Sequence, residues 1–214
     1  MNDSPHQDQV LLTAGEDLKQ AHAAMIMIHG RGAPAQDILG LASHFKIDGF
    51  AYLAPQAARH SWYPDRFIAP LEANEPWLSS ALRRIGQILA YCAQEEIEAE
   101  RTILLGFSQG ACLSLEYAAR NARRYGGLAA LSGGLIGPPE VRRQDQGDLE
   151  GTPVFLGCSD VDPHIPLERV EYSADHLETL GGQVTKRIYS GLGHMVIPDE
   201  IEQVRTLMRS LLAG

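Results

Sequence analysis

The stretch Thr102-Ile-Leu-Leu-Gly-Phe-Ser-Gln-Gly-Ala-Cys-Leu-Ser-Leu-Glu116 carries three patterns in succession. Thr102 to Leu105 is a short β-branched and aliphatic run, the mark of a buried strand. From Ala111 onward, helix formers place apolar residues three and four apart. Between the two lies Gly106-Phe-Ser-Gln-Gly110, a G-x-S-x-G turn. A strand that feeds a helix through such a turn strains the serine and lifts its hydroxyl out of the sheet. The flanking glycines let neighbouring backbones pass closely. The letters alone are a weak signal, because glycine-rich turns reproduce them. Their place between a strand and a helix start is what makes them informative.

Working outward, the same alternation recurs. Ala24–Ile28, Phe50–Ala54 (stopped by Pro55), Gly127–Leu131, Pro153–Leu156 and Val184–Tyr189 read as further strands. Helical patterns fall between them, at about 35–45, 76–97, 109–121, 166–180 and 198–212. Pro76, Pro166 and Pro198 sit near helix starts, where a missing N–H costs little. Gly181-Gly182 ends one helix. Strands that are apolar throughout belong to a sheet covered on both faces, and strand–helix alternation implies parallel crossovers. The expected fold class is therefore α/β, with a mostly parallel central sheet, helices on both faces and no lid domain. Residues 1–20 are read as an N-terminal segment, with an added edge strand as one expectation, and 21–214 as a single domain.

Length and composition narrow the function. The 214 residues suit one domain and can bury about 70% of their unfolded surface. A net charge of −9 repels phosphate backbones and anionic lipid heads, so nucleic acid is not an expected partner. The longest apolar run, Ala21–Ile28, is far short of the roughly 20 residues of a membrane span, so stable membrane insertion is not expected either. The polar N-terminus does not read as a secretory signal. Three cysteines without a C-x-x-C pattern suggest neither a disulfide framework nor a zinc site, and fit a reducing cytoplasm. No metal and no cofactor are expected.

In open parallel sheets chemistry gathers in the loops after the strands' carboxyl ends. Ser108 is the candidate nucleophile. His29-Gly30-Arg31-Gly32 follows another strand; the Arg31 and Gln109 N–H groups are the candidate oxyanion donors. His29 itself is read as a hydrogen-bonded structural residue. After Pro153–Leu156 come Asp160 and Asp162, either of which is placed to orient a histidine. His194 lies in the loop before the last helix, where it is able to take the serine's proton. The order serine, aspartate, histidine is that of the α/β-hydrolases, unlike chymotrypsin-like or subtilisin-like proteases. The long connection Arg59–Pro76 is read as a pocket wall, with Trp62, Tyr63, Phe67 and Leu71 facing substrate beside Ile165. Cys112 and Cys158 are treated as small hydrophobes.

With these residues in view, the chain resembles the phospholipase/carboxylesterase family of serine hydrolases, which includes the acyl-protein thioesterases. The resemblance covers about residues 20–213. It rests on Met27-Ile-His-Gly-Arg-Gly32, Ala54-Pro-Gln56 with Ser61-Trp-Tyr63, Gly106-Phe-Ser-Gln-Gly-Ala111, Leu131-Ser-Gly-Gly134, Asp160-Val-Asp-Pro-His-Ile-Pro166 and Gly193-His194. It implies that Asp162, directly before a proline, is the triad acid rather than Asp160. It also implies hydrolysis of carboxylic esters, acyl thioesters or lysophospholipids, and pairing into homodimers. Trp62-Tyr-Pro-Asp-Arg-Phe67 with Asn74-Glu-Pro-Trp77 looks like a bacterial branch. The expected activity is thus a serine hydrolase acting on short-to-medium acyl esters. Lysophospholipase or acyl-protein thioesterase activity is the alternative, and a non-catalytic ligand-binding hydrolase fold the rival outside enzymes.

Overall fold

In the computed structural model, which describes residues 4–213, the strand β2 (Ala23–Ile28) is buried along its whole length. Its side chains divide by alternation. Ala24, Ile26 and Ile28 join one hydrophobic cluster; Ala23, Met25 and Met27 join another. A strand can be apolar at every position only when both faces are covered. Six further strands complete the sheet: β1 (Leu11–Gly15), β3 (Phe50–Pro55), β4 (Thr102–Phe107), β5 (Gly127–Leu131), β6 (Pro153–Ser159) and β7 (Gln183–Tyr189). Their order is β1-β3-β2-β4-β5-β6-β7. β1 runs antiparallel to β3, with Leu11 opposite Pro55, and every other pair is parallel. The edge strand β7 exposes Lys186 and Arg187, charges that discourage pairing with another chain.

The helices are α1 (Ala35–Leu39), α2 (Ala42–Phe45), α3 (Trp77–Gln94), α4 (Gln109–Arg120), α5 (Leu167–Thr179) and α6 (Pro198–Ala213). α3, α4 and α5 pack on one face, through residues such as Ile85, Leu115 and Leu177. α1, α2 and α6 pack on the other, through Ile38, Phe45 and Met208. Each such fully buried aliphatic side chain contributes roughly 1.5–3 kcal/mol. The helix expected over 35–45 is two short helices. At Gly40 and Leu41 the bonds tighten, with Leu41 N–H reaching Ile38 and His44 N–H reaching Leu41, three residues back. The connection between β5 and β6 carries no helix. Among the described residues no helix is long and apolar enough to cross a membrane.

β2, β4, β6 and β7 all end on the same side of the sheet, because they run parallel. Their following loops bring residues 29–32, 106–110, 160–166 and 190–197 into one neighbourhood.

Candidate active site

β4 turns into α4 at Ser108, which has φ 55° and ψ −118°. A non-glycine residue there is strained, and strain of this kind costs about 1–3 kcal/mol. The turn is held by packing: a Cβ at Gly110 would overlap the carbonyl of Ile28 in β2. Ser108 N–H donates to the Leu131 carbonyl (2.9 Å), and its own carbonyl accepts from Cys112 N–H (3.0 Å). The serine is thereby fixed on its backbone while its hydroxyl is left to the cleft.

His194 reaches this hydroxyl: Nε2 lies 2.7 Å from Ser108 Oγ. Its Nδ1–H donates to Asp162 Oδ2, also at 2.7 Å. The other Asp162 oxygen accepts the His164 and Ile165 N–H groups, at 2.8 and 3.0 Å. The Asp162 side chain is fully buried. Burial opposes its ionisation, but the bonds from His194, His164 and Ile165 outweigh this and hold the carboxyl below its ordinary pKa. Asp160, the other aspartate of the stretch, points elsewhere. It accepts Gly191 N–H and the Ser190 hydroxyl and so pins the turn after β7. The His194 ring is packed between Phe107 and His164, each with ring centroids 4.9 Å away.

The loop after β2 comes close to the serine. A Cβ at Gly30 would sit 3.3 Å from the Phe107 ring and 3.4 Å from Ser108 Cβ, so glycine permits the approach. His29 is buried, donates from Nδ1 to the Gly30 carbonyl (2.7 Å) and accepts Ala57 N–H at Nε2 (3.0 Å). Burial lowers its pKa, which keeps it neutral as these bonds require. The Arg31 and Gln109 N–H groups have no acceptor among the described residues. Both residues line the same cleft as Ser108 and His194. The Arg31 guanidinium donates to the Pro64 and Asp65 carbonyls and ties this loop to the long connection.

The cleft has a volume of about 640 Å³, within the usual span of small-molecule sites. Tyr63, Phe67 and Ile165 line it. Trp62 and Leu71, also expected in its wall, do not. Trp62 is fully buried between His6 and His29, and its Nε1–H donates to the His29 carbonyl (2.9 Å). It supports the loop from below because its indole N–H needs an acceptor and finds one there. Leu71 sits in a single 3₁₀ turn, Leu71–Asn74, and faces a second cavity instead. The Gln109 side chain accepts Trp62 N–H (2.8 Å) and donates to the Tyr63 carbonyl (2.8 Å), stapling the wall to the serine's own helix. Phe107, Asp65, Arg66 and His164 line the cleft without having been singled out. Of these, Phe107 alone carried a signal in the sequence, its place directly before the serine of the turn. Burial pushes the Cys112 and Cys158 thiols up to about 12, so neither supplies a thiolate.

The phospholipase/carboxylesterase family model matches residues 15–212. The chain belongs to this family. Its fold is accordingly the α/β-hydrolase fold, with the seven-stranded, mostly parallel sheet described above. A solved phospholipase/carboxylesterase structure from Dyadobacter fermentans superposes with a TM-score of 0.90 at 42% identity, covering 96% of this chain and 97% of that one. Acyl-protein thioesterase 1 of Gibberella zeae is 33% identical over 132 residues, 56% of this chain and 53% of that protein. Acyl-protein thioesterase 1 of Saccharomyces cerevisiae is 31% identical over 122 residues, 55% of this chain and 53% of that protein. The chain thus spans about half the length of these two curated relatives.

Proposed function

We propose that the chain is a serine hydrolase of carboxylic esters with short-to-medium acyl groups. The observation that carries this reading is the unbroken hydrogen-bond chain Ser108 Oγ, His194, Asp162 at 2.7 Å per link, opening onto a cleft. Ser108 attacks the ester carbonyl while His194 Nε2 accepts its proton. Asp162 holds the ring so that Nε2 is the acceptor, and stabilises the imidazolium that forms. The Arg31 and Gln109 N–H groups donate to the oxyanion. His194 then protonates the leaving alcohol, and water releases the acid by the same route. Tyr63, Phe67 and Ile165 surround the acyl group.

A second reading, acyl thioester cleavage, is favoured by the two thioesterase relatives and uses the same residues. Membership of the family and three free, buried cysteines also support a small-molecule substrate and a reducing cytoplasmic setting.

The test is hydrolysis of p-nitrophenyl esters from acetate to palmitate, with Ser108→Ala as the blank, beside labelling by a fluorophosphonate. Rapid labelling and a peak at two to six carbons is the expected result. A peak at eight or more moves the substrate to the long-chain thioester or lysolipid class. No labelling and no turnover above the blank would overturn the reading.

A further inference from the structure

A second cavity, of about 440 Å³, lies between α4, α5 and the connection that follows β5. It shares no lining residue with the Ser108 cleft. Its walls carry Arg120, Arg142, Arg143 and Arg169 against Glu116 and Asp145, an excess of positive charge in a chain whose net charge is −9.

The two carboxylates are already committed. Glu116 is fully buried; Oε1 accepts from Arg120 (2.6 Å), and Oε2 from Arg143 (2.7 Å) and from Ile136 N–H (3.0 Å). Asp145 accepts Arg143 on both oxygens and also His176. Nothing is left for Arg169. That residue, in the first turn of α5, is only 5% exposed, yet it has no carboxylate partner among the described residues. Its Nε–H donates to the Leu135 carbonyl (2.8 Å), and the guanidinium lies 4.8 Å from the Tyr172 ring. The terminal N–H groups have no acceptor among the described residues. Burial, with the Arg143 charge adding to it, pulls the guanidinium below its ordinary pKa. A buried cation is expensive unless an anion meets it, and a guanidinium's terminal N–H fork fits a two-oxygen acceptor. At the rim, exposed Arg142 supplies a second cation that steers an anion inward.

We propose that this cavity is a binding site for a small molecule bearing an oxyanion group, a carboxylate or a phosphoryl group, held through the terminal N–H groups of Arg169. The site is distinct from the Ser108 cleft and stands whether or not that cleft hydrolyses esters.

The test measures binding by calorimetry and by thermal shift, using inorganic phosphate and succinate against chloride at matched ionic strength. The wild type binds at least one probe and is stabilised by it. Arg169→Gln weakens that binding at least about tenfold, having lost the charge and the fork. Arg142→Ala weakens it less. A response to phosphate alone assigns the phosphoryl class, to succinate alone the carboxylate class, and to both a general oxyanion site. No response to either probe, or an equal response in Arg169→Gln, overturns the proposal. Should Arg169→Gln fail to fold, crystals of the wild type soaked in tungstate decide: density within hydrogen-bond distance of the Arg169 Nη atoms supports the site, and its absence there overturns it.

Discussion

In the proposed mechanism Ser108, His194 and Asp162 act as one unit, joined by two 2.7 Å hydrogen bonds, so removing the first link should cost nearly all of the catalysis. Ser108→Ala is expected to lower kcat on p-nitrophenyl butyrate by on the order of 10⁴ to 10⁶; a variant keeping a tenth of the wild-type rate would exclude Ser108 as nucleophile. The two aspartates separate in the same assay. Asp162→Asn removes the acceptor that sets the His194 tautomer and should cost about 10⁴-fold. Asp160→Asn, which only loosens the Ser190-Gly191 turn, should cost less than about tenfold. Gly30 gives a third residue-scale expectation. A methyl there would press on Phe107 and on Ser108 Cβ at 3.3 and 3.4 Å. The contact calls for a shift of a few tenths of an ångström, and a shift taken by the loop moves the Arg31 N–H with it. Gly30→Ala should therefore lower kcat, by at most the roughly 10² to 10³ that follows outright removal of one oxyanion donor, with KM little changed. An unchanged kcat would remove Arg31 from the oxyanion site.

The connection between β3 and α3 shows how one element divides its side chains between support and recognition. Phe67 lines the cleft, whereas Trp62 lies beneath it. Phe67→Ala should move the preferred acyl chain toward longer esters, and because Phe67 is itself buried in the core it should also cost stability, though less than the Trp62 truncation does. Trp62→Ala should lower the unfolding free energy by about 3–5 kcal/mol, the range for large aromatic truncations in a core. Urea melts and the ester series together test this, and the opposite pattern would reverse the two roles. This division was not legible in the sequence. Aromatic residues in a long loop read alike until the fold shows which ring has an acceptor below it, and here that acceptor is the His29 carbonyl, 33 positions away. The parallel strands were legible because burial on both faces removes polar alternation, as in β2 and β4. The sequence also put Ser108, the Asp160–Asp162 pair and His194 after strand ends, and parallel strands place those loops on one side of the sheet. Spacing alone could not say which of Asp160 and Asp162 meets His194, since both follow the same strand two residues apart; in the structure it is Asp162. Nothing local marked His6, whose Nε2–H donates to the Trp62 carbonyl (2.9 Å) and whose Nδ1 accepts Ala58 N–H (3.1 Å).

At the scale of the whole molecule, two buried titratable groups on different elements pull its pH dependence in opposite directions. His6 ties the N-terminal segment under the cleft wall, and burial lowers its pKa from 6.5 to about 4. Between those values the unfolded chain binds the proton and the native chain does not. His6 therefore contributes stability that is present above pH 6.5 and is lost as the pH falls toward 4. Glu200, in the first turn of α6, accepts the Ile197 N–H (3.0 Å) and so secures the segment that follows His194. Burial raises its pKa from 4.5 to about 7. Here the native chain holds the proton that the unfolded chain has released, so the contribution is present below pH 4.5 and is lost as the pH rises through 7. Each contribution is on the order of 3 kcal/mol over its window. In the wild type the two slopes largely cancel, and the variants expose them. Urea unfolding from pH 5 to 8 should show the His6→Gln deficit shrinking as the solution is acidified, because only the wild type then loses stability. The Glu200→Gln variant should instead gain on the wild type as pH rises, since glutamine still accepts the Ile197 N–H but carries no charge to bury. A pH-independent difference for either variant would mean that its side chain is solvated in the native state. The link between Glu200 and the His194 segment would then not be a buried hydrogen bond to the Ile197 N–H.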